Sequence, residues 1–334
     1  MTRARTPTIL DVAAAAGVSK SAVSRALLGQ GDVSPETRRR IETAAQELGY
    51  VANAMARSLV SAKTHNLGVV LRDVRKPYYA YLQASMQAQA EQRRYRIVAT
   101  TNAGPSEVAD ALREIKNLIS LQVDGLVIAP ARLPTSEFTP FLDRVPIVVA
   151  GRHETAAGIS SVAVDDVDGG RSLAEHVLSL GHTRVAVAVV DVGYSERYHT
   201  RGSAMVDALT AGGATVTVVD TPTDLEAARH LDAALGSGVT ALMCPTDASA
   251  LELLALLQER GDDALDRYSV TGFDGYGPLA SPYIGLTTYR VPQEEIGRTA
   301  IDLLVDRIEG RSDLDRFVSL RGSVVAGRTA RSVG

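Results

Sequence analysis

Lys20, Ser21, Ser24 and Arg25 stand close together in the stretch GVSKSAVSRAL, residues 17–27. Side chains three and four positions apart share a helix face, so a helical stretch would line these up as one strip of cations and hydroxyls. Such a strip can neutralise phosphates and donate to base edges, the chemistry of reading a duplex through its major groove. Ser19, just ahead, is placed to cap that helix and to meet a phosphate. A second cluster lies in LRDVRKPYYAYL, residues 71–82, where Arg72, Lys76 and Tyr78 follow an apolar run. Cations and phenols at the end of a strand suit a small polar ligand, with Tyr78 able to stack on a sugar ring.

Catalytic patterns are missing. No GxxxxGK[ST], HExxH or GxSxG occurs. GFDGYG, residues 272–277, has no phosphate-loop lysine and reads as a turn at a cleft edge. VDDVDGG, residues 164–170, looks like half of a calcium loop without the remaining ligands. An aspartate capping the next helix explains it better. The six histidines show no ligand spacing, and His182, after Gly181, is expected to satisfy a turn. The single cysteine, Cys244, excludes an internal disulfide and a cysteine-based zinc cluster, and is expected in the core. Neither metal nor cofactor is expected, and the chain does not read as an enzyme.

Charge is unevenly spread. Residues 1–64 hold nine Lys/Arg against five Asp/Glu, whereas the remainder holds 26 against 34. A basic head on an acidic body places a polyanion partner at the head alone. With 334 residues the chain calls for two or three units. No apolar string approaches the roughly 20 residues of a membrane span, and MTRARTPTILD lacks the apolar core of a secretory signal, so a cytoplasmic location is expected.

The elements that must position these residues follow from local signals. Thr8 and Asp11 form a capping box before DVAAAA, and Gly17 stops that helix. Ser19 opens a second helix near 20–28. Ser34-Pro35 opens a third, whose Ile41, Ala44, Ala45 and Leu48 recur at helical spacing, with Gly49 as its end. Val12, Ala16, Val18, Val23 and Leu27 would form the core of this helix-turn-helix. Arg38-Arg39-Arg40 adds positive potential; the plainer alternative is an interaction module with a solvated charged face. Asn53–Leu59, including Ala56 and Arg57, has only Met55 and Leu59 as large apolar groups. So short a helix forms only against its copy or DNA. From Leu67 onward apolar strand runs alternate with helical segments, which predicts two doubly wound parallel α/β lobes. The expected division is a head at 1–52, a hinge at 53–64 and a body at 65–334. Within the body, lobe 1 is near 65–160, lobe 2 is near 161–287, and a helix near Gln293–Ile308 crosses back. Ligands of such sheets bind at the carboxyl ends of the strands, here in the cleft between lobes.

TILDVAAAAGVSKSAVSRAL, VSPETRRRIETAAQELGY and NAMARSL resemble the DNA-binding head and hinge of the LacI/GalR repressor family. GHTRVAV, YSVTGFDG and LTTYRVPQEEIGRTAIDLLVDRIEG resemble its body, which is similar to periplasmic sugar-binding proteins. The fold implied is an N-terminal three-helix helix-turn-helix domain plus a two-lobed, periplasmic-binding-protein-like α/β body. The resemblance implies a homodimeric transcriptional regulator, most simply a repressor, on double-stranded operator DNA. Its hinge residues Asn53, Ala56, Arg57 and Leu59 would sit in the minor groove, with Leu59 as a wedge. It also implies that Arg201, Asp274 and Asp247 contact a sugar or sugar derivative, inducer or co-repressor alike. Thr246, where the family writes Asn, weakens the analogy at Asp247. Arg72, Arg152 and Arg201 together would make a cationic cleft suited to an acidic or phosphorylated sugar, unless Arg72 pairs with Asp73 or Asp274. The chain ends without heptads, which favours a dimer over a tetramer. The rival reading is a sugar-binding protein of transport or chemotaxis sharing the body.

Overall fold

Val12, Val23 and Ile41 are wholly buried together and hold three short helices: α1 (Ile9–Ala16), α2 (Lys20–Leu28) and α3 (Pro35–Glu47). They belong to the first of two compact units, which divide between Thr64 and His65. The computed structural model describes residues 7–28, 33–50, 63–101, 107–129, 133–236, 238–261, 266–312 and 315–333. The local signals act as expected. Asp11 Oδ2 accepts from both the amide and the hydroxyl of Thr8 at 2.7 Å. Gly17 closes α1 at φ 61°, a left-handed conformation that a Cβ would strain. Ser19 Oγ accepts from Ala22 N at 3.2 Å, and Ser34 Oγ accepts from Thr37 N at 3.2 Å.

Two details depart from expectation. Leu48 is 38% exposed, because α3 ends at Glu47 and Leu48 already caps it. The Arg38-Arg39-Arg40 run is not simply a free field of charge: Arg38 Nη1 donates to Ala26 O at 2.9 Å, and Arg40 Nη2 donates to Ala16 O. Both guanidinia satisfy carbonyls at the carboxyl ends of α2 and α1, where a cation also meets the negative end of the helix dipole.

The second unit holds two six-stranded sheets. One runs β11-β5-β4-β3-β1-β2, all parallel. Its strands are β1 (Asn66–Leu71), β2 (Arg96–Thr101), β3 (Gly125–Ala129), β4 (Ile147–Ala150), β5 (Ile159–Val164) and β11 (Phe317–Leu320). The other runs β12-β10-β9-β8-β6-β7, with β6 (Arg184–Val190), β7 (Thr215–Thr221), β8 (Ala241–Met243), β9 (Ser269–Asp274) and β10 (Thr287–Arg290) parallel. Its edge strand β12 (Ser323–Val325) is antiparallel. Continuous apolar runs such as β3 and β4 are buried along their length, as doubly covered central strands must be. The chain passes between lobes three times: after β5, after β10 and between β11 and β12. β5 runs to Val164 inside the first sheet, four residues beyond the boundary expected near 160. Helix α4 (Pro77–Gln92) follows β1, α5 (Glu107–Ser120) follows β2, and α6 (Asp166–Ser179) follows the first crossing. α7 (Glu196–Ala211), α8 (Ala227–Ala233) and α9 (Asp247–Glu259) belong to the second lobe, while α10 (Gln293–Ile308) returns to pack on α4 and β3–β5. No helix among the described residues is long and apolar enough to cross a membrane.

Candidate functional site

In the head, Val23 and Ala26 turn the inner face of α2 into the core. That rotation leaves Ser19, Lys20, Ser21 and Arg25 exposed and Ser24 half-buried. The strip is therefore solvent-facing and can meet a phosphate or a base edge. The hinge candidates Asn53, Ala56, Arg57 and Leu59 lie outside the described residues.

In the body, the loops after β1, β3, β4, β6, β7, β8 and β9 converge from both lobes on one cleft, which has two chambers. The inner chamber, about 150 Å³, is lined by Tyr78, Tyr198, Arg201, Asp247, Asp274 and Tyr276 among others. The outer, about 600 Å³, is lined by Thr135, Arg152 and Glu154 on one lobe and Tyr194–Tyr198 on the other. Arg72, Tyr79, Arg197 and Tyr198 belong to both. All six body candidates from the sequence thus line the same cleft.

Their surroundings differ. Arg201 is only 1% exposed; its Nε and Nη2 donate to Asp166 Oδ1 at 3.1 and 2.7 Å, and Nη1 donates to Pro245 O at 2.7 Å. The guanidinium also lies 3.4 Å over the Phe273 ring. Arg197 Nε donates to the other Asp166 oxygen at 2.9 Å. Burial alone would raise the Asp166 carboxyl, but Arg197 and Arg201 outweigh it and hold it below the usual carboxylate range. Asp247 is spent inside its lobe: Oδ1 accepts from the Thr288 hydroxyl at 2.5 Å and Oδ2 from Gly275 N at 2.8 Å. Thr246 caps α9, accepting from Ser249 N at 3.2 Å. Asp247 therefore braces the turn that carries Asp274. Asp274 itself has φ 145°, is half-buried and has no side-chain hydrogen bond among the described residues. Burial, and then the neighbouring Asp247 charge, push its carboxyl up to about 7. Tyr78 packs edge-on against Tyr79 at 5.0 Å, and its buried hydroxyl has no hydrogen-bond partner among the described residues.

The expected cationic cleft is not what the lining holds. Arg72, Lys76, Arg152, Arg197 and Arg201 share the lining with Glu154, Glu196, Asp224, Asp247 and Asp274, while Asp166, outside the lining, pairs with Arg197 and Arg201. Arg152 Nε is bound by Glu154 Oε1 at 2.5 Å, and Lys76 Nζ lies 3.6 Å from Asp224 Oδ2 across the cleft. Asp73 pairs with Arg75 at 2.9 Å, while Arg72 faces the phenol of Tyr194. Sequence reading missed Asp166, Arg197, Asp224 and Glu154. A usable signal existed: each follows the carboxyl end of a strand, and Arg197 stands one helical turn before Arg201 on α7.

Residues 8–53 match the bacterial regulatory proteins of the lacI family, and residues 174–330 match a periplasmic binding protein-like domain. The HTH-type transcriptional regulator CelR of Thermobifida fusca is 30% identical over 334 residues, covering 93% of this chain and 95% of CelR. The structure of a transcriptional regulator CelR–cellobiose complex aligns with TM-score 0.67 and 27% identity over 97% of this chain and 99% of that one. The lac repressor dimer bound to operator and the anti-inducer ONPF shares the fold, with TM-score 0.81 over 98% of this chain and 100% of that one at 23% identity.

Proposed function

The chain belongs to the lacI family of bacterial regulatory proteins, a family of transcriptional regulators and not enzymes, and from that premise we propose a homodimeric cytoplasmic repressor controlled by a sugar. Two heads grip a pseudo-palindromic operator, with Lys20, Ser21 and Arg25 at base edges and Ser19 and Ser24 at phosphates. Asn53, Ala56, Arg57 and Leu59 pair with their copies in the minor groove, Leu59 as the wedge. A sugar held between the lobes changes their angle and so the separation of the two hinges. A few kcal/mol of differential binding, on the order of 5 for a full switch, is enough.

The observation that carries the reading is the strip of Lys20, Ser21 and Arg25 left exposed on α2 of a lacI-type head. The match of residues 8–53 also sets aside the rival transport or chemotaxis protein, which has no use for such a head. In the cleft, the free carboxyl of Asp274 supports a hydroxyl-bearing ligand, and the paired charges favour a neutral sugar over an acidic or phosphorylated one. CelR with cellobiose supports a ligand of the sugar kind.

Fluorescence anisotropy on the gene's own upstream DNA, with and without a panel of sugars, tests the proposal. At least one fragment is expected to bind on the order of a thousandfold tighter than random duplex, with one sugar changing that affinity. Arg25→Ala is expected to cost about 1–3 kcal/mol of specific binding. No preference for any promoter fragment, under every added sugar, overturns it.

A further inference from the structure

Resting on the sugar reading above, we infer that the effector is a neutral saccharide of at least two rings, the first seated in the inner chamber and the second held in the outer chamber by Arg152, Glu154 and Thr135. Size comes first. The inner chamber, about 150 Å³, is the smaller of the two and is walled by Tyr78, Tyr198 and Tyr276, whose rings suit one sugar ring set among them. The outer chamber, about 600 Å³, adds space that one ring leaves unfilled. Both chambers are walled by Arg72, Tyr79, Arg197 and Tyr198, so a ligand can run from one into the other without leaving the cleft.

Chemistry follows. Glu154 is 9% exposed, yet it sits at the cleft wall beside two polar partners. Its Oε1 accepts from Arg152 Nε at 2.5 Å and its Oε2 from the Thr135 hydroxyl at 2.6 Å. Arg152 Nη2 in turn donates to Thr135 Oγ1 at 3.2 Å. These bonds use two of the guanidinium's N–H donors and about half of the carboxylate's four lone-pair sites. What remains is a fixed row of donors and acceptors without net charge, suited to ring hydroxyls and unsuited to an acid group. A buried ion pair is a poor source of stability by itself, so its place at the wall of an open chamber fits recognition better than folding.

Calorimetry on the full chain tests this with glucose, galactose and xylose against cellobiose, maltose, lactose and xylobiose. At least one disaccharide is expected to bind about tenfold or more tighter than its own monosaccharide, the worth of one or two well-made hydrogen bonds. Glu154→Gln and Thr135→Ala are expected to lower disaccharide affinity about tenfold more than they lower monosaccharide affinity. If Glu154→Gln fails to fold by thermal melt, Thr135→Ala carries the same comparison. A monosaccharide binding as tightly as its disaccharide, or equal losses in the variants, overturns the two-ring inference and leaves the sugar reading standing. No binding by any saccharide overturns both.

Discussion

Asp166 shows how one carboxylate can hold a cleft together. Its two oxygens take Arg197 and the almost wholly buried Arg201, so removing it takes away the one carboxylate, among the described residues, to which both guanidinia are hydrogen-bonded. Asp166→Asn is expected to destabilise the body by about 3–5 kcal/mol in urea unfolding. A loss below about 1 kcal/mol would mean that Arg201 is held by Pro245 O and the Phe273 ring instead. Asp274 has the opposite character, with a carboxyl raised to about 7 beside Asp247. A raised folded-state value means that the contribution to stability is fully present below the ordinary 3.8 and is lost as pH rises through about 7. Thermal melts across that window are expected to fall with pH in the native chain, and Asp274→Asn is expected to flatten the step near neutrality. An unchanged slope in the variant would assign the step to another group.

At the scale of elements, the turn after β9 sets the floor of the cleft. Gly275 has φ 76°, donates its amide to Asp247 and accepts from Arg290 Nε at 3.1 Å, and a Cβ there would run into the Arg290 backbone. Gly275→Ala is therefore expected to move Asp274 and weaken effector binding about tenfold or more by calorimetry, while effector-free DNA binding stays as it was. If effector affinity holds, the turn tolerates a left-handed alanine and Asp274 does not depend on it. Elements with local signals were legible beforehand: the Thr8–Asp11 box, the Ser34-Pro35 start and the Gln293–Ile308 helix all stand where their residues put them. β11 and β12 were not, because they are short edge strands defined by pairing with β5 and β10, far away in sequence. The site divides the same way. The family resemblance pointed to Arg201 and Asp274 in the cleft, but the charge balance was hidden, since Asp166 lies 35 residues from Arg201 and Asp224 meets Lys76 only through the fold.

At the scale of the whole molecule, the charge asymmetry and the paired cleft make two opposite demands on salt. The head carries nine cations against five carboxylates, and the body 26 against 34, so attraction to a polyanion belongs to the head. Binding there releases counterions, and the logarithm of DNA affinity should fall linearly with the logarithm of salt, by about 0.9 per phosphate neutralised. Lys20→Ala is expected to weaken every duplex alike and to reduce that slope by about 1 if it meets a phosphate, whereas Arg25→Ala should cost more on the operator than on random DNA. The effector obeys a different rule. Lys76 faces Asp224, Arg152 faces Glu154, and Arg197 and Arg201 share Asp166, so a neutral ligand entering the cleft displaces no net charge. Titrations of the effector over a tenfold range of salt should therefore give one affinity, while the same range lowers DNA affinity by orders of magnitude. An effector affinity that falls with salt as steeply as DNA binding would show that cleft cations meet an anion, and would return the ligand to the acidic class.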